Sequence, residues 1–386
     1  MRSGTGSSHL DAASEAGRAA ALAATAGAGD EPTALVLVYA SVRYDLVELL
    51  AGVRSVTGSA PVAGFTSCGH FTEESHTEPG TGVVVLVLAG GEYRFGVASA
   101  VGMGADPEGV GSALAREAKA AVGPVDGDDY PYAAMLLFTD GLGGDQQAVL
   151  SGVYRVCGAA VPVVGGAAAD DRLMTRTHVF HDDQVLTDAA VGVWISSQRP
   201  LTVSSAHGWI PVSLPLLITR SEGLTVHEIG GRPAGEVFQE LASKVGQKTL
   251  PDGRDWHSSF ALGLLEPDGS HLIRGVFPTS DGTIHTFTPL PAYSAVQVMT
   301  ADLDRILSVV DPVVEASLPY GDESVLLAFD CLARLDMMGP ACADEVAAIA
   351  KAAGGTRCFG SYTYGEFARV RGIGGVHNAT LTTLAL

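Results

Sequence analysis

Gly165-Gly-Ala-Ala-Ala-Asp-Asp171 is the stretch of this sequence from which the fold can be worked out. It follows a short β-prone segment and precedes a hairpin-like stretch. Two other loops align with it without gaps, Gly64-Phe-Thr-Ser-Cys-Gly-His70 and Gly360-Ser-Tyr-Thr-Tyr-Gly-Glu366. Glycine opens each loop, where a positive φ or a close backbone approach can be required, and a polar side chain closes it. Three such loops in one chain indicate a repeated supersecondary unit.

The same order of elements surrounds each loop. Before the second loop, residues 108–122 have helical spacing, 133–139 form an apolar run of strand length, and 145–156 are again helical. Corresponding apolar runs occur at 34–40 in the first copy and 325–329 in the third. Continuous apolar runs of this length are typical of strands buried on both faces.

A different region, residues 201–299, separates the second and third copies. Gly-Gly and Pro open a helical pattern at 230–242, and short β-prone runs then alternate with the turns Pro267-Asp-Gly269 and Asp281-Gly282. This pattern predicts an antiparallel meander. We therefore expect an α/β (α+β-like) chain with mixed, largely antiparallel sheets covered by helices.

The expected domain organisation follows from these segments. Residues 1–7 are rich in Gly and Ser and are expected to be a disordered tail. An N-terminal domain at 8–217 holds two copies of the unit, and a C-terminal domain at 218–386 holds the meander and the third copy. The length of 386 residues agrees with two domains.

Composition excludes several classes of partner. The net charge of −20 and the scattered basic residues argue against nucleic acid and against an anionic membrane surface. The longest apolar run is only strand-sized, and the N-terminus lacks the pattern of a signal peptide. Five cysteines without a C-x-x-C pair fit reduced thiols better than a disulfide framework. We expect a cytoplasmic protein.

Several motifs resemble the FIST family of intracellular sensory domains. In the N-terminal half these are GFTSCGHF (64–71), LLFTDGL (136–142) followed by PVVGGAAADD (162–171), and THVFHDDQVLTDAAVGVWI (177–195). In the C-terminal half they are ITRSEGLTVHEIGGRPAGEVFQEL (218–241), FDCLARL (329–335) and GSYTYGEFARV (360–370). Taken together in this order, the motifs extend the resemblance over nearly the whole chain, from about residue 8.

The resemblance implies a non-catalytic sensor of a small ligand, an amino acid or a derivative. A haem-binding, nitric-oxide-responsive branch is the alternative, so the cofactor is left unknown. His70 stands where the family's first loop usually has Glu, which questions an amine ligand and equally suggests a haem or metal ligand. The sequence shows no kinase, cyclase or DNA-binding segment, so we expect a separate signalling protein to receive the signal.

The first two loops supply candidate ligand-binding residues. Cys68 and His70 lie two residues apart and serve either as a ligand pair or as a structural thiol and imidazole. Asp170 and Asp171 are adjacent, so on extended backbone they point in opposite directions. One is expected to cap the loop and the other to face a cavity. The glycines that precede them, Gly165 and Gly166, are expected to line the same cleft.

The third loop supplies the most ligand-like cluster. If the stretch is extended, Tyr362 and Tyr364 share one face and Glu366, after Gly365, continues it. Two rings and a carboxylate could hold an amine through cation–π and ionic contacts, and a packed sheet face is the alternative.

Cys331 and Arg334 follow a buried strand and form the last candidate pair. Arg334 binds a ligand carboxylate, or else closes a helix or loop end near Asp330 or Asp336. Cys331 lines a pocket or is merely buried.

The motifs of common enzyme classes are missing from the sequence. There is no Walker loop, no complete dinucleotide fingerprint, no G-x-S-x-G and no H-E-x-x-H. A cysteine-dependent hydrolase based on Cys331 or Cys68 is the enzyme alternative, and nothing marks its base. A partner-docking module is the third class. We expect no enzymatic activity and a cleft lined by the three glycine loops.

Overall fold

The computed structural model describes residues 1–124, 129–245, 259–370 and 373–386. Its helices are α1 (Ala13–Ala28), α2 (Leu46–Thr57), α3 (Pro107–Ala121), α4 (Gln146–Cys157), α5 (Ala234–Lys244), α6 (Leu303–Ser308), α7 (Val310–Ser317), α8 (Leu332–Met338) and α9 (Cys342–Ala352). Its strands are β1 (Arg2–Ser8), β2 (Thr33–Ala40), β3 (Val62–Thr66), β4 (His70–Thr72), β5 (His76–Thr77), β6 (Val83–Ala89), β7 (Tyr93–Val101), β8 (Tyr132–Thr139), β9 (Val163–Ala167), β10 (Val179–His181), β11 (Gln184–Leu186), β12 (Ala189–Ser197), β13 (Val203–Ala206), β14 (Ile210–Pro211), β15 (Leu216–Glu222), β16 (Thr225–Ile229), β17 (Arg232–Pro233), β18 (Phe260–Leu265), β19 (His271–Arg274), β20 (Val276–Pro278), β21 (Ile284–Thr286), β22 (Ala295–Thr300), β23 (Val325–Cys331), β24 (Arg357–Thr363), β25 (Glu366–Val370), β26 (Ile373–His377) and β27 (Leu381–Ala385).

The three copies of the repeated unit form three six-stranded sheets of the same design. Their orders are β1-β6-β2-β3-β10-β11, β7-β12-β8-β9-β25-β26 and β13-β27-β23-β24-β4-β5. Each sheet has one parallel pair at its centre, β2 with β3, β8 with β9 and β23 with β24, and its other pairs are antiparallel. This confirms the predicted fold class, with mixed and largely antiparallel sheets.

Each unit gives its hairpin to another unit's sheet. The hairpin β4–β5 follows β3 in the chain but pairs with β24. The hairpin β10–β11 follows β9 and pairs with β3, and β25–β26 follows β24 and pairs with β9. The exchange is cyclic, so the three sheets are interlocked and none of them is built from one continuous stretch of chain.

A glycine is in register with a phenylalanine at each place where a hairpin joins a foreign sheet. Gly64 is opposite Phe180, Gly165 is opposite Phe367, and Gly360 is opposite Phe71. All three rings are fully buried. A side chain on the glycine would occupy space that the fold uses at each site. A Cβ on Gly360 would lie 2.1 Å from Phe71 Cζ, and one on Gly64 would lie 1.9 Å from the Val38 carbonyl oxygen.

Helices cover these sheets, and Asp residues at their starts explain where several of them begin. Asp45 accepts hydrogen bonds from Val47 N and Glu48 N at the start of α2, and Asp145 accepts one from Ala148 N at the start of α4. Such caps satisfy N–H groups that have no partner within the helix. The helices α1 and α2 pack so closely that a Cβ on Gly17 would lie 2.2 Å from the Leu49 carbonyl oxygen.

The region between the second and third copies forms a fourth sheet. Its main path is β19-β18-β22-β15-β16-β21-β20, with β14 on β22 and β17 on β16. The helix α5 packs on this sheet, and its Phe238 joins Ile218, Leu262 and Val298 in a separate hydrophobic core. The predicted helix and antiparallel strands are therefore present, but the strand order is not a meander, because β22 pairs with β18 and β15 while β21 pairs with β20 and β16. The first β-prone run after the helical pattern, at 257–265 in the sequence, is described only from residue 259 onward.

The N-terminal tail was predicted wrongly. Residues 2–8 form β1, which pairs with β6 over its whole length. The Gly and Ser residues of β1 have the composition of a disordered tail, but the packing requires small residues here. A Cβ on Gly4 would lie 1.9 Å from the Ala24 carbonyl oxygen in α1. The sequence at 303–316 has the pattern of one helix, but this segment is divided into α6 and α7.

Candidate functional site

The three glycine loops are joined by one repeated hydrogen bond. Ala169 N donates to Thr66 O at 2.6 Å, Cys68 N donates to Tyr362 O at 3.0 Å, and Tyr364 N donates to Ala167 O at 3.1 Å. Donors and acceptors occupy the same positions in the three aligned loops, so each loop donates to one neighbour and accepts from the other. The loops thus form a closed ring, which we call the loop ring.

A cavity of about 610 Å³ lies between the loop ring and the fourth sheet. The third loop contributes Thr363 and Tyr364, and the segment after the second loop contributes Arg172 and Met174. Apolar residues make most of the remaining wall. The other lining residues are Trp209, Phe260, Ala261, Ile273, Gly275, Val276, Phe277, Pro278, Phe287, Cys331, Leu332, Ala333, Asp336, Asn378 and Ala379.

The polar groups of this wall are few and mostly paired. The Arg172 guanidinium forms an ion pair with Asp336, and both side chains are partly exposed. The Tyr364 hydroxyl donates to the Asp170 carboxylate of the second loop. A wall with paired opposite charges and several aromatic rings suits a small, largely apolar molecule with a few polar groups.

Asp170 and Asp171 both hold backbone in place, in different directions. Asp170 accepts from the N–H groups of Met174, Thr175 and Arg176. Burial opposes ionisation of Asp170, but the hydrogen bonds from Tyr364 and from these N–H groups lower its pKa. Asp171 accepts from Val42 N, Gly80 N and the Ser41 hydroxyl, and it does not line the cavity.

Cys68 and His70 of the first loop lie in the interior and not in the cavity wall. Cys68 Sγ accepts a hydrogen bond from Arg172 N at 3.2 Å, and burial raises the pKa of this thiol to about 12. His70 Nδ1 lies 3.0 Å from Ser67 Oγ, and burial lowers the pKa of His70 to about 3. The fully buried imidazole supplies no support for a haem-binding role.

The predicted cluster of Tyr362, Tyr364 and Glu366 is divided by the structure. The strand β24 ends at Thr363, so the alternation of side chains stops before Tyr364. Tyr364 lines the cavity, whereas Tyr362 packs against Phe71 in the core. Glu366 is fully buried, accepts from the Thr363 hydroxyl at 2.8 Å, and has its pKa raised by burial.

The remaining loop glycines act through backbone. Gly166 is in register with Glu366 of β25, and a Cβ there would lie 2.6 Å from Thr363 Cγ2. Gly165 is in register with Phe367 in the same pairing, and a Cβ there would lie 1.9 Å from the Leu137 carbonyl oxygen. Gly365 O accepts from Ala167 N at 2.8 Å. None of the three lines the cavity.

Arg334 is completely buried and neutralises carboxylates of the protein itself. Its Nε lies 2.8 Å from Asp330 Oδ1, and its Nη2 donates to Glu345 and to Ile306 O. Burial, together with the charge of Glu345, raises the pKa of Asp330. Arg334 is thus not free to bind a ligand carboxylate. Cys331, which precedes α8, does line the cavity.

Sequence reasoning missed Arg172, Trp209, Asn378 and the aromatic residues of the fourth sheet. Arg172 could have been found, since it directly follows the Asp pair. Trp209 and Asn378 stand alone between short strands, and no spacing marks them. Three residues of the wall share an unusual backbone conformation with positive φ. The φ values of Arg172, Met174 and Ala379 are 69°, 52° and 53°.

Within residues 1–124, 129–245, 259–370 and 373–386, no helix is both long and apolar enough to cross a bilayer. Nor do the residues with described positions include three His, Cys, Asp or Glu side chains arranged to share a metal ion.

Comparison with known proteins gives distant relatives. An uncharacterized protein of Mycobacterium bovis is 27% identical over 231 residues, covering 56% of this chain and 58% of the relative. An uncharacterized protein of Methanocaldococcus jannaschii is 23% identical over 249 residues, covering 60% and 48%. The matched part therefore spans about half the length of these curated relatives. A cyanuric acid hydrolase of A. caulinodans has a TM-score of 0.40 at 12% identity, with 100% and 99% coverage, a likeness too loose to carry an argument.

Family models match most of the chain in two adjacent segments. The model of the FIST N domain matches residues 34–232, and the model of the FIST C domain matches residues 234–369. FIST domains are in general sensory domains that bind small ligands. The motifs, the two matches and their order agree, and this chain belongs to the FIST family.

Proposed function

We propose that this chain is an intracellular sensory protein that binds an amino acid or an amino acid derivative in the cavity beside the loop ring. The observation that carries the proposal is the cavity itself, about 610 Å³ with mostly apolar walls and a few polar groups. Protein sites for small molecules have this size and character. The ion pair of Arg172 with Asp336 offers one group for a carboxylate and one for an amine.

Backbone geometry supports the same location. Seven non-glycine residues have positive φ in the described part of the chain, and three of them, Arg172, Met174 and Ala379, line the cavity. Such conformations cost about 1–3 kcal/mol each and concentrate at functional sites. In this proposal, the three residues are held in these conformations because they shape the wall of the binding site.

The position of the cavity suggests how binding would be transmitted. Tyr364 belongs to the third loop, and its hydroxyl and N–H bond to Asp170 and Ala167 of the second loop. Arg172 N donates to Cys68 of the first loop. A ligand that moves Tyr364 or Arg172 therefore acts on all three loops, and a separate signalling protein would read the change.

We further propose that the bound ligand is not converted. A thiolate is the nucleophile in cysteine catalysis, and burial disfavours it. Cys331 is the cysteine that lines the cavity, and burial together with the charge of Glu366 raises its pKa. The protonated thiol then serves as part of the wall.

The test combines ligand screening with a variant that fills the cavity. Wild-type protein is screened against the common amino acids and their N-acetyl forms by thermal unfolding and calorimetry. A ligand at about one hundred times its Kd stabilises the folded state by about 2.7 kcal/mol, which raises the melting temperature by about 3–5 °C. Native mass spectrometry before and after incubation checks that the ligand leaves unchanged.

The matched variants are Gly275→Met and Leu214→Met. A Cβ on Gly275 would meet only Phe287 ring atoms, at 3.6 and 3.8 Å, so the new side chain fits into the cavity. Leu214 is 82% exposed and lies outside it. We expect Gly275→Met to abolish the stabilisation and Leu214→Met to retain it. Equal stabilisation of both variants would place the ligand elsewhere, and a chemically altered ligand would refute the sensor assignment.

A further inference from the structure

The cavity beside the loop ring is larger than a free amino acid requires. Its volume is about 610 Å³. At about 30 Å³ for each water-sized group, this is space for about 20 non-hydrogen atoms. Free L-phenylalanine has about 12 such atoms and would fill about three-fifths of that space. Apolar wall that meets no ligand atom loses dispersion contacts, so a longer molecule fits the cavity better.

The charged groups of the wall lie together and can be reached. Arg172 and Asp336 are in direct contact, and both line the cavity. The side chain of Arg172 is 42% exposed and that of Asp336 is 30% exposed, so a ligand has access to each of them. Partly exposed ion pairs contribute little to stability, so the guanidinium can exchange part of this contact for a ligand carboxylate. Because the two groups touch, they match a carboxylate and an N–H donor carried on one carbon atom of the ligand.

An apolar surface on the same wall is also open to a ligand. Phe277 and Phe287 meet edge to face with ring centroids 4.9 Å apart. Phe277 is 50% exposed and Phe287 is 37% exposed, and both line the cavity. The exposed Met174 lines it as well, and a thioether side chain adapts to the shape of what it contacts. A flexible apolar chain would bury these surfaces favourably.

The nitrogen of the ligand is better acylated than free. A free amine carries a positive charge, which must lose its hydration when it enters a mostly apolar cavity. An amide nitrogen has no charge and still has one N–H to donate to the Asp336 carboxylate. Acylation also supplies the additional length that the volume of the cavity requires.

We propose that the ligand is an N-acyl amino acid whose apolar acyl chain has about 8 to 12 carbons. Its carboxylate pairs with Arg172, its amide N–H donates to Asp336, and its chain packs on the rings of Phe277 and Phe287. This inference rests on the proposed function and specifies which kind of amino acid derivative the same cavity binds.

The first test varies the length of the acyl chain. Dialysed full-length protein is titrated calorimetrically with the N-acetyl, N-butanoyl, N-hexanoyl, N-octanoyl and N-decanoyl forms of L-alanine, each below its micelle concentration. We expect each added methylene to tighten binding about three- to fourfold until the cavity is full. Dodecanoic acid lacks the amide and N-decylacetamide lacks the carboxylate. Each of these molecules is similar in size to N-octanoyl-L-alanine and is expected to bind about tenfold more weakly.

The second test uses variants of the wall. Arg172→Met is expected to weaken N-octanoyl-L-alanine about tenfold and to leave N-decylacetamide unchanged, because only the first probe has a carboxylate. Its matched control is Arg220→Met, which removes a paired arginine of β15 outside the cavity and should change neither probe. Phe277→Ala is expected to weaken N-octanoyl-L-alanine about fivefold and N-acetyl-L-alanine less than twofold. Tyr293→Ala, which truncates an exposed ring outside the cavity, should change neither.

The outcomes separate this inference from the proposed function. Affinities of the N-acetyl and N-octanoyl forms within twofold of each other overturn the inference. So does binding of dodecanoic acid or N-decylacetamide as tight as that of N-octanoyl-L-alanine, or equal weakening of N-octanoyl-L-alanine and N-decylacetamide by Arg172→Met. Each of these results leaves the proposed function standing. Failure of every free, acetylated and longer acylated amino acid to bind wild type overturns both.

Discussion

Replacing Phe71 and Gly360 together should cost much less stability than the two single replacements added. Phe71 is fully buried on β4 and lies over Gly360 of β24. Removal of such a ring costs about 3–5 kcal/mol. In Gly360→Ala, the new Cβ would be 2.1, 2.3 and 2.7 Å from three atoms of the Phe71 ring. The ring must therefore move, which costs about 1–3 kcal/mol.

The double variant Phe71→Ala/Gly360→Ala removes the ring that obstructs the new methyl group. We expect it to be about as stable as Phe71→Ala alone, with a coupling energy of about 1–3 kcal/mol. The measurement is guanidinium unfolding followed by circular dichroism, with the slope of the transition compared between variants to confirm a common folded state.

The equivalent pair in the first sheet provides the control. A Cβ on Gly64 would lie 1.9 Å from the Val38 carbonyl oxygen, a backbone atom that removal of Phe180 does not move. Gly64→Ala should therefore remain as damaging in the background of Phe180→Ala as in wild type, with a coupling within about 0.5 kcal/mol. Additive costs at Phe71 and Gly360, or equal coupling in both pairs, would refute the steric explanation.

Three further predictions concern buried polar groups. Arg334→Met should destabilise the protein by about 3–5 kcal/mol in guanidinium unfolding, because two buried carboxylates lose their cation; a loss below 1 kcal/mol would contradict this. Tyr364→Phe should cost about 1–3 kcal/mol in the same assay, since the Asp170 carboxylate loses a donor; unchanged stability would exclude that contribution. His70 has a folded-state pKa of about 3 against 6.5 in the unfolded chain, so its stabilising contribution is complete above pH 6.5 and is lost as the pH falls towards 3. His70→Asn should therefore reduce the slope of unfolding free energy against pH by about 1.4 kcal/mol per unit between pH 6 and 4.

Most of the repeated unit was predictable from sequence because its central strands are buried on both faces. The strand β8 was expected at 133–139 and occurs at Tyr132–Thr139. The helices before and after it, expected at 108–122 and 145–156, occur at Pro107–Ala121 and Gln146–Cys157. Apolar runs between helical patterns are enough to predict these strands, because each pattern lies within one short stretch of the sequence. The exchange of hairpins was not predictable, because residues 70–77 read as a hairpin whichever strand accepts them. Their partner is decided by the fit of Phe71 over Gly360, which only the folded chain brings together.

The candidate site was predicted less completely, for a related reason. Local pattern pointed to Cys331 and Tyr364, which do line the cavity, because Cys331 ends one strand of the repeated unit and Tyr364 follows another. The remaining wall comes from the fourth sheet and from isolated residues such as Trp209 and Asn378. Of the two interpretations of Arg334, the pairing with Asp330 is the one observed, and the second partner Glu345 could not be predicted because it is 11 residues further along the chain.

The exchange of hairpins has a consequence for synthesis on the ribosome. The N-terminal hairpin β4–β5 must wait for β24, and the bond between Glu73 and Cys358 joins residues 285 positions apart. At about 5–20 residues per second, the hairpin waits roughly 15–60 seconds for its partner to be made. Until then, the edges of β9 and of the early hairpin are open to wrong pairing. A polypeptide that ends between the two family domains would lack β24, the partner of β4, and β25, the partner of β9. The two domains therefore fold as one unit.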